Sequence, residues 1–140
     1  MPLKSVELML DKAAQDEYVL DKLLADDDAP VEIFGFHAQQ AAEKFLKAVL
    51  LSVESEYPRT HRLTELIDLA RGSGVDFPEK FEEIRFLTPF AVEFRYDAMP
   101  EEPEDPLDKA KIRELLTDIR CWVESFVNRD DEKDEEEPIR

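Results

Sequence analysis

The chain has 140 residues and a formal net charge of −17, and 43% of its residues are hydrophobic. This length suits one domain that closes its own apolar core without disulfides or a structural metal. The acidity excludes general coating of DNA or RNA, because broad nucleic-acid binding needs a basic surface that releases counterions. It does not exclude a small nucleotide in a local pocket, or one RNA that is reached through a few basic residues.

The sequence also predicts where the protein works. No apolar run approaches the roughly 18 residues of a membrane-spanning helix. The first residues, MPLKSVELML, lack the apolar core of a signal peptide. We therefore expect a cytoplasmic protein with no membrane contact. Cys121 is the only cysteine, so no internal disulfide can form, and its apolar neighbours predict a buried core thiol.

Two amphipathic helices are predicted in the first half of the chain. Apolar residues return at three- and four-residue steps over residues 3–24, and an acidic run before Pro30 ends this helix. The second helix is predicted over residues 33–53. It contains Gly35 near its start, and close packing against a neighbour is one reason for a helix to accept glycine there.

Three shorter patterns follow. Thr60 resembles an N-cap that opens a helix over residues 60–70. The next pattern, over residues 77–94, predicts a helix that Pro89 kinks or locally breaks. Residues 96–107 are rich in proline and acids, which predicts an extended solvated loop. A last helix is predicted over residues 107–127.

The composition changes once, at the carboxyl end. Residues 129–140 are mostly acidic and almost lack apolar side chains, which predicts a disordered tail. Residues 1–128 are expected to form one domain. Long helices with short connectors and few glycines predict an all-α fold, an antiparallel up-and-down bundle of four to five helices.

The second predicted helix has two distinct faces. A helical wheel places seven apolar side chains on one face, the predicted core face: Phe34, Ala38, Ala41, Ala42, Phe45, Ala48 and Val49. A separate arc carries five polar side chains, called the polar strip below: His37, Gln40, Glu43, Lys44 and Lys47. The strip is either a solvated face with one Glu43–Lys47 pair, or a surface that meets an anionic ligand or a second subunit. Ile33, Phe36 and Leu51 border the strip and favour an interface.

Other polar residues are candidates with ordinary alternatives. His61 follows the predicted cap, where a surface or capping role is common, although an imidazole can titrate near neutral pH. Arg95 and Tyr96 end the fourth predicted helix, where Arg95 could simply pair with Asp97. The sequence lacks the phosphate-binding glycine loops, HExxH and paired CxxC. Two histidines alone are a weak metal signal, so no metal site is expected.

The strip and two later blocks together resemble the HEPN family, the higher eukaryotes and prokaryotes nucleotide-binding domain. The specific block is FGFHAQQAAEKFLKAVL at residues 34–50; the shorter blocks are Thr60-His61-Arg62-Leu63 and Phe94-Arg95-Tyr96. The resemblance implies a bundle of four to five helices, a homodimer, and a partnership with a minimal nucleotidyltransferase in a prokaryotic toxin–antitoxin or defence pair.

The resemblance also speaks to catalysis. Many HEPN proteins are metal-independent ribonucleases that use an arginine and, after four to six intervening residues, a histidine. Arg95 matches the arginine, but the positions where the histidine is expected hold Pro100, Glu101 and Glu102. Without that imidazole to move protons, and with acids that repel phosphate, cleavage by this mechanism is expected to fail.

Three hypotheses remain open from the sequence. The first is a non-catalytic HEPN protein that binds a nucleotide, a nucleotidyltransferase partner, or both. The resemblance implies that its nucleotide-binding or dimer-interface residues are His37, Gln40, Lys44, Lys47, His61, Arg95 and Tyr96, with Glu43 orienting a lysine. The second is a ribonuclease that uses His37 or His61. The third is a structural protein whose acidic surface engages a basic partner.

Overall fold

The computed structural model describes residues 2–91 and 107–136. Four α-helices and one 3₁₀ segment make up the fold in these ranges: α1 (Pro2–Leu24), α2 (Val31–Ser52), α3 (Leu63–Gly72), the 3₁₀ segment (Glu79–Phe90) and α4 (Lys109–Glu136). The described ranges contain no strand. The prediction of an all-α bundle is therefore confirmed.

Helix α2 is the centre of the bundle. It contacts α1, α3, α4 and the 3₁₀ segment, so every other helical element packs against it. Its predicted core face is fully buried, including the large rings of Phe34 and Phe45. Burying a phenylalanine side chain stabilises the fold by about 1.5–3 kcal/mol. The apolar face of α2 therefore holds the bundle together and fixes the direction of its polar strip.

Gly35 lets the 3₁₀ segment approach α2 closely. A Cβ atom at position 35 would overlap the ring of Phe90, which lies directly against the α2 backbone. Close packing against a neighbour was the reason proposed for this glycine, and the structure confirms it. Gly35 thus sets the distance between α2 and the 3₁₀ segment.

The fourth helical segment differs from the prediction. It is a 3₁₀ helix rather than a kinked α-helix. Its four buried residues, Phe81, Ile84, Leu87 and Phe90, recur at intervals of three. In a helix with three residues per turn, this spacing keeps all four residues on one face. In an α-helix the same spacing would turn them progressively around the helix axis. Pro89 also lacks the amide hydrogen that a continued α-helix needs.

The third helix starts later than predicted. It begins at Leu63, and Arg62 occupies the N-cap position without a side-chain capping bond. Thr60 instead accepts a hydrogen bond from the Arg62 amide at 3.0 Å. The Leu63 amide donates to the hydroxyl of Thr88, 3.2 Å away in the 3₁₀ segment. A tertiary contact therefore replaces the local cap that the sequence predicted.

Two predictions about the last helix were wrong. Cys121 is exposed rather than buried, because the core face of α4 carries Ile119 and Val123 on either side of it. The helix also continues to Glu136, past the predicted end at Val127. That residues 129–140 form a tail separate from the domain stays a prediction. The predicted loop over residues 96–107 lies almost entirely outside the described residues.

Candidate functional site

The polar strip of α2 faces other helices rather than open solvent. Asp16 of α1, only 7% exposed, lies opposite its amino-terminal half. His37 Nδ1 is 3.0 Å from one Asp16 oxygen, and the Lys44 ammonium donates to the other. These three residues are called the Asp16 cluster. It joins α1 to α2 by charged hydrogen bonds, which are stronger than neutral ones.

The carboxyl-terminal half of the strip is built around Glu43, which is 5% exposed. Its carboxylate accepts hydrogen bonds from Gln39 at 3.0 Å and from Lys47 at 2.8 Å. His61 Nδ1 lies 2.8 Å from the carboxylate, and Gln39 also donates to the His61 carbonyl oxygen at 3.0 Å. The Glu43 cluster, which consists of these four residues, ties the connector before α3 to α2.

Opposing effects set the protonation of Glu43. Burial raises its pKa, but the hydrogen bonds from Lys47, His61 and Gln39 together lower it more, so the net pKa lies below the ordinary value. Glu43 is therefore ionised at neutral pH. An ionised carboxylate holds its donors in place and favours a proton on Nδ1 of His61.

The structure brings together five of the seven predicted site residues. His37, Lys44, Lys47 and His61 lie against the two buried carboxylates, and Gln40 donates to the Gln39 amide oxygen at 2.7 Å. Arg95 and Tyr96 lie outside the described residues. Glu43 pairs with Lys47, the orienting contact that the sequence suggested.

Sequence reasoning missed two members of these clusters, Asp16 and Gln39. The signal for Asp16 was its position on α1. The buried face of this helix carries Val6, Ala13 and Leu20, and Asp16 lies on the same side, one turn after Ala13. Gln39 is fully buried between core alanines of α2. The available signal was its place beside the predicted core face of α2, since a polar residue there needs a hydrogen-bond partner.

The lysine and carboxylate charges of the Asp16 and Glu43 clusters cancel. Lys44 and Lys47 are each paired with one buried carboxylate, so no excess positive charge remains when both imidazoles are neutral. A phosphate group bound at the strip would compete with Asp16 or Glu43 for the lysine donors and could draw a lysine away from its carboxylate. That exchange is costly, because it leaves a buried carboxylate without its partners.

A further buried carboxylate belongs to the scaffold. Glu17 of α1 accepts a hydrogen bond from Nε of Arg120 at 2.6 Å and lies 3.4 Å from Arg113. Arg120 also places its guanidinium 5.2 Å from the centre of the Phe45 ring. The pKa of Arg120 is raised, since its bonds to Glu17 and Glu124 outweigh the lowering effect of burial. This network fastens α4 to α1.

Among the described residues, no group of three histidine, cysteine or acidic side chains is arranged to hold a metal ion. Within the same ranges, no helix combines the length and the apolar character needed to cross a bilayer.

The family model of the HEPN domain matches residues 6–127, which is most of the chain. No curated protein and no solved structure matches the chain. The matched range includes Asp16 of α1 and all of α2, α3 and the 3₁₀ segment, and therefore both carboxylate clusters.

Proposed function

The chain belongs to the HEPN domain family, and we propose that it is a non-catalytic member that binds a nucleotide and acts with a minimal nucleotidyltransferase partner. We further propose that it is a homodimer and one half of a cytoplasmic toxin–antitoxin or defence pair. The resemblance described above motivates the partner and the pathway.

The missing ribonuclease histidine carries this proposal. Pro100, Glu101 and Glu102 occupy the positions where HEPN ribonucleases resembling this chain place that histidine after Arg95. Neither proline nor glutamate supplies an imidazole that can exchange protons near neutral pH. Two glutamates in its place also repel the phosphate of an RNA backbone.

The positions of the two histidines support the same proposal. His37 and His61 are the only histidines of the chain, and each has Nδ1 against a buried carboxylate. Through Nδ1, His37 connects α2 to α1 and His61 connects the connector before α3 to α2. These contacts within the chain explain why the polar residues are present, and no catalytic role is needed to explain them.

Two assays test the proposal. We expect purified protein to leave tRNA and mRNA intact and to bind at least one nucleotide in a calorimetric panel of mono-, di- and triphosphates. Cleavage of RNA by the wild-type protein would contradict the non-catalytic assignment. If no nucleotide in the panel binds, the nucleotide-binding part of the proposal fails and only the partnership with a nucleotidyltransferase remains.

The nucleotidyltransferase partnership has its own test. We expect the gene beside this one to encode a minimal nucleotidyltransferase, and the two purified proteins to co-elute from a sizing column. A stand-alone gene whose product binds no nucleotidyltransferase contradicts the partnership. The acidic surface would then favour the structural hypothesis, in which a basic protein is the partner.

One observation favours a second candidate, ribonuclease activity through His61. Its side chain is 42% exposed, and Glu43 orients the ring from the buried side. A carboxylate that holds Nδ1 is the arrangement by which enzymes position a histidine base. RNA cleavage that is lost in both His61→Ala and Arg95→Ala, with His37→Ala as comparison, would establish this candidate in place of the first.

A further inference from the structure

We propose that the phosphate of the bound nucleotide lies on the connector between α2 and α3, held by Arg59 and His61, and not on the polar strip. The inference rests on the proposed nucleotide binding and locates the binding site on the protein. The ligand class is a nucleoside phosphate whose terminal phosphate carries the recognition.

The charges of the connector distinguish it from the rest of this acidic protein. Within six residues, Tyr57 to Arg62, it carries two arginines and a histidine and no acid. Along the sequence the nearest acids are Glu56 and Glu65, and both are exposed. The buried Glu43, which contacts His61 from the other side, also pairs with Lys47. Exposed carboxylates are screened by salt and move away from an arriving anion at little cost.

Arg59 is available for a ligand. It is exposed, and no ion pair or hydrogen bond joins it to any other described residue. The interior cations are committed instead: Lys44, Lys47, Arg71, Arg85, Arg113 and Arg120 all bind carboxylates. Binding at Arg59 therefore disturbs no buried pair, whereas binding at Lys44 competes with Asp16.

His61 follows Arg59 by two residues in the connector and is held in place from α2. Glu43 engages Nδ1 at 2.8 Å, so Nε2 is the ring nitrogen left for an external group. Gln39 fixes the His61 backbone through the carbonyl oxygen at 3.0 Å. When protonated, the ring donates from Nε2 to a phosphate oxygen while Nδ1 continues to donate to Glu43. Because backbone and ring are already ordered, little further entropy is lost when the phosphate binds.

Calorimetry with ATP, AMP, inorganic phosphate and adenosine tests the proposal on the full-length protein. We expect ATP and AMP to bind and adenosine to bind far more weakly, because the phosphate carries recognition. Arg59→Ala should weaken ATP binding about tenfold, the value of one charge-assisted contact. Lys12→Ala, which removes an exposed cation on α1, is the matched control and should change affinity less than twofold.

Nuclear magnetic resonance of the two histidine rings gives a second readout. Titration with AMP should shift the ring signals of His61 and leave those of His37 unchanged. His61→Gln should weaken AMP binding while Lys44→Ala leaves it unchanged. Both variants are checked for folding by thermal unfolding, and Arg59→Ala, at an exposed position, keeps the test valid if His61→Gln unfolds.

The outcomes separate this proposal from the proposed function. If nucleotides bind, but Lys44→Ala weakens them and Arg59→Ala does not, the site is the polar strip; the connector proposal fails and nucleotide binding stands. If adenosine binds as tightly as ATP, phosphate recognition fails. If the wild-type protein binds neither nucleotides nor phosphate, nucleotide binding itself fails and the connector with it.

Discussion

Nδ1 of His61 lies 2.8 Å from Oε1 of Glu43, which links the connector before α3 to the central helix of the bundle. Because Glu43 also accepts from Lys47 and Gln39, one buried carboxylate organises three donors from two parts of the chain. The same side chain therefore affects stability, pH dependence and the shape of the candidate site.

Glu43→Gln is expected to lower the free energy of unfolding by about 1–3 kcal/mol. The substitution leaves Lys47 half-buried without its carboxylate, but Lys47 and His61 retain some contact with water, which limits the loss. Urea unfolding at pH 7 measures the change. Glu65→Gln, whose carboxylate is 3.9 Å from Arg62 at the surface, should cost under about 0.5 kcal/mol. Equal effects of the two substitutions would contradict the organising role of Glu43.

Stability should fall in acid because of Glu82. Hydrogen bonds from Arg85 and Arg71 lower its pKa from 4.5 to about 2 in the folded protein. Above pH 4.5 the carboxylate is ionised in both states and its stabilising effect is complete. Between pH 4.5 and 2 the unfolded state binds the proton first, so this stabilisation is lost as the pH falls.

Glu82→Gln isolates that contribution. We expect the difference in urea midpoint between wild type and Glu82→Gln to stay constant from pH 7 to 5 and to shrink as the pH falls from 4.5. The lowered pKa of Glu43 gives wild type and variant alike a further loss in acid, which cancels in the difference. A difference that grows toward low pH would show that the ionised Glu82 carboxylate does not stabilise the folded state.

Gly35→Ala should destabilise the bundle, although alanine is the better helix former. The new methyl group overlaps the Phe90 ring, and overpacking of this kind costs about 1–3 kcal/mol. Gly72→Ala is the matched control, since a Cβ at that position meets nothing within 4 Å. Thermal unfolding should rank Gly35→Ala below wild type and Gly72→Ala at or above it. Phe90→Leu combined with Gly35→Ala should recover part of the loss.

Arg120→Lys is expected to cost about 1–2 kcal/mol, although it keeps the charge. Lysine cannot reproduce the fork that contacts Glu17, nor the bond to the Leu10 carbonyl at 3.2 Å. Chemical unfolding compares it with Arg59→Lys at an exposed position, where little change is expected. If both substitutions are neutral, the network between α1 and α4 does not contribute as its geometry suggests.

Cys121 should react with a thiol reagent in the folded protein. Its side chain is exposed on α4, so a colorimetric disulfide reagent should label native protein at a rate within about tenfold of the unfolded rate, as expected for an accessible thiol. If Cys121 reacts only after denaturant is added, its side chain is buried, as its apolar neighbours predicted.

The spacing of apolar residues predicted most of the helices, because this spacing depends only on residues that are close along the chain. The core face of α2, from Phe34 to Val49, follows from helical geometry alone, and all seven of its predicted residues are buried. The 3₁₀ segment was misassigned because steps of three residues fit both helix types over a short run. Over the whole segment, the repeated interval of three between buried residues, the proline at position 89 and the packing against Gly35 together distinguish the two helix types.

The sequence by itself determined the helices, the two faces of α2 and the resemblance to the HEPN family, since each depends on residues that are close along the chain. The tertiary structure decided what the polar strip contacts. Asp16 reaches His37 and Lys44 from another helix, and His61 reaches Glu43 across the connector. Those contacts depend on how the helices are positioned against one another, which packing of the whole core sets and no local pattern specifies.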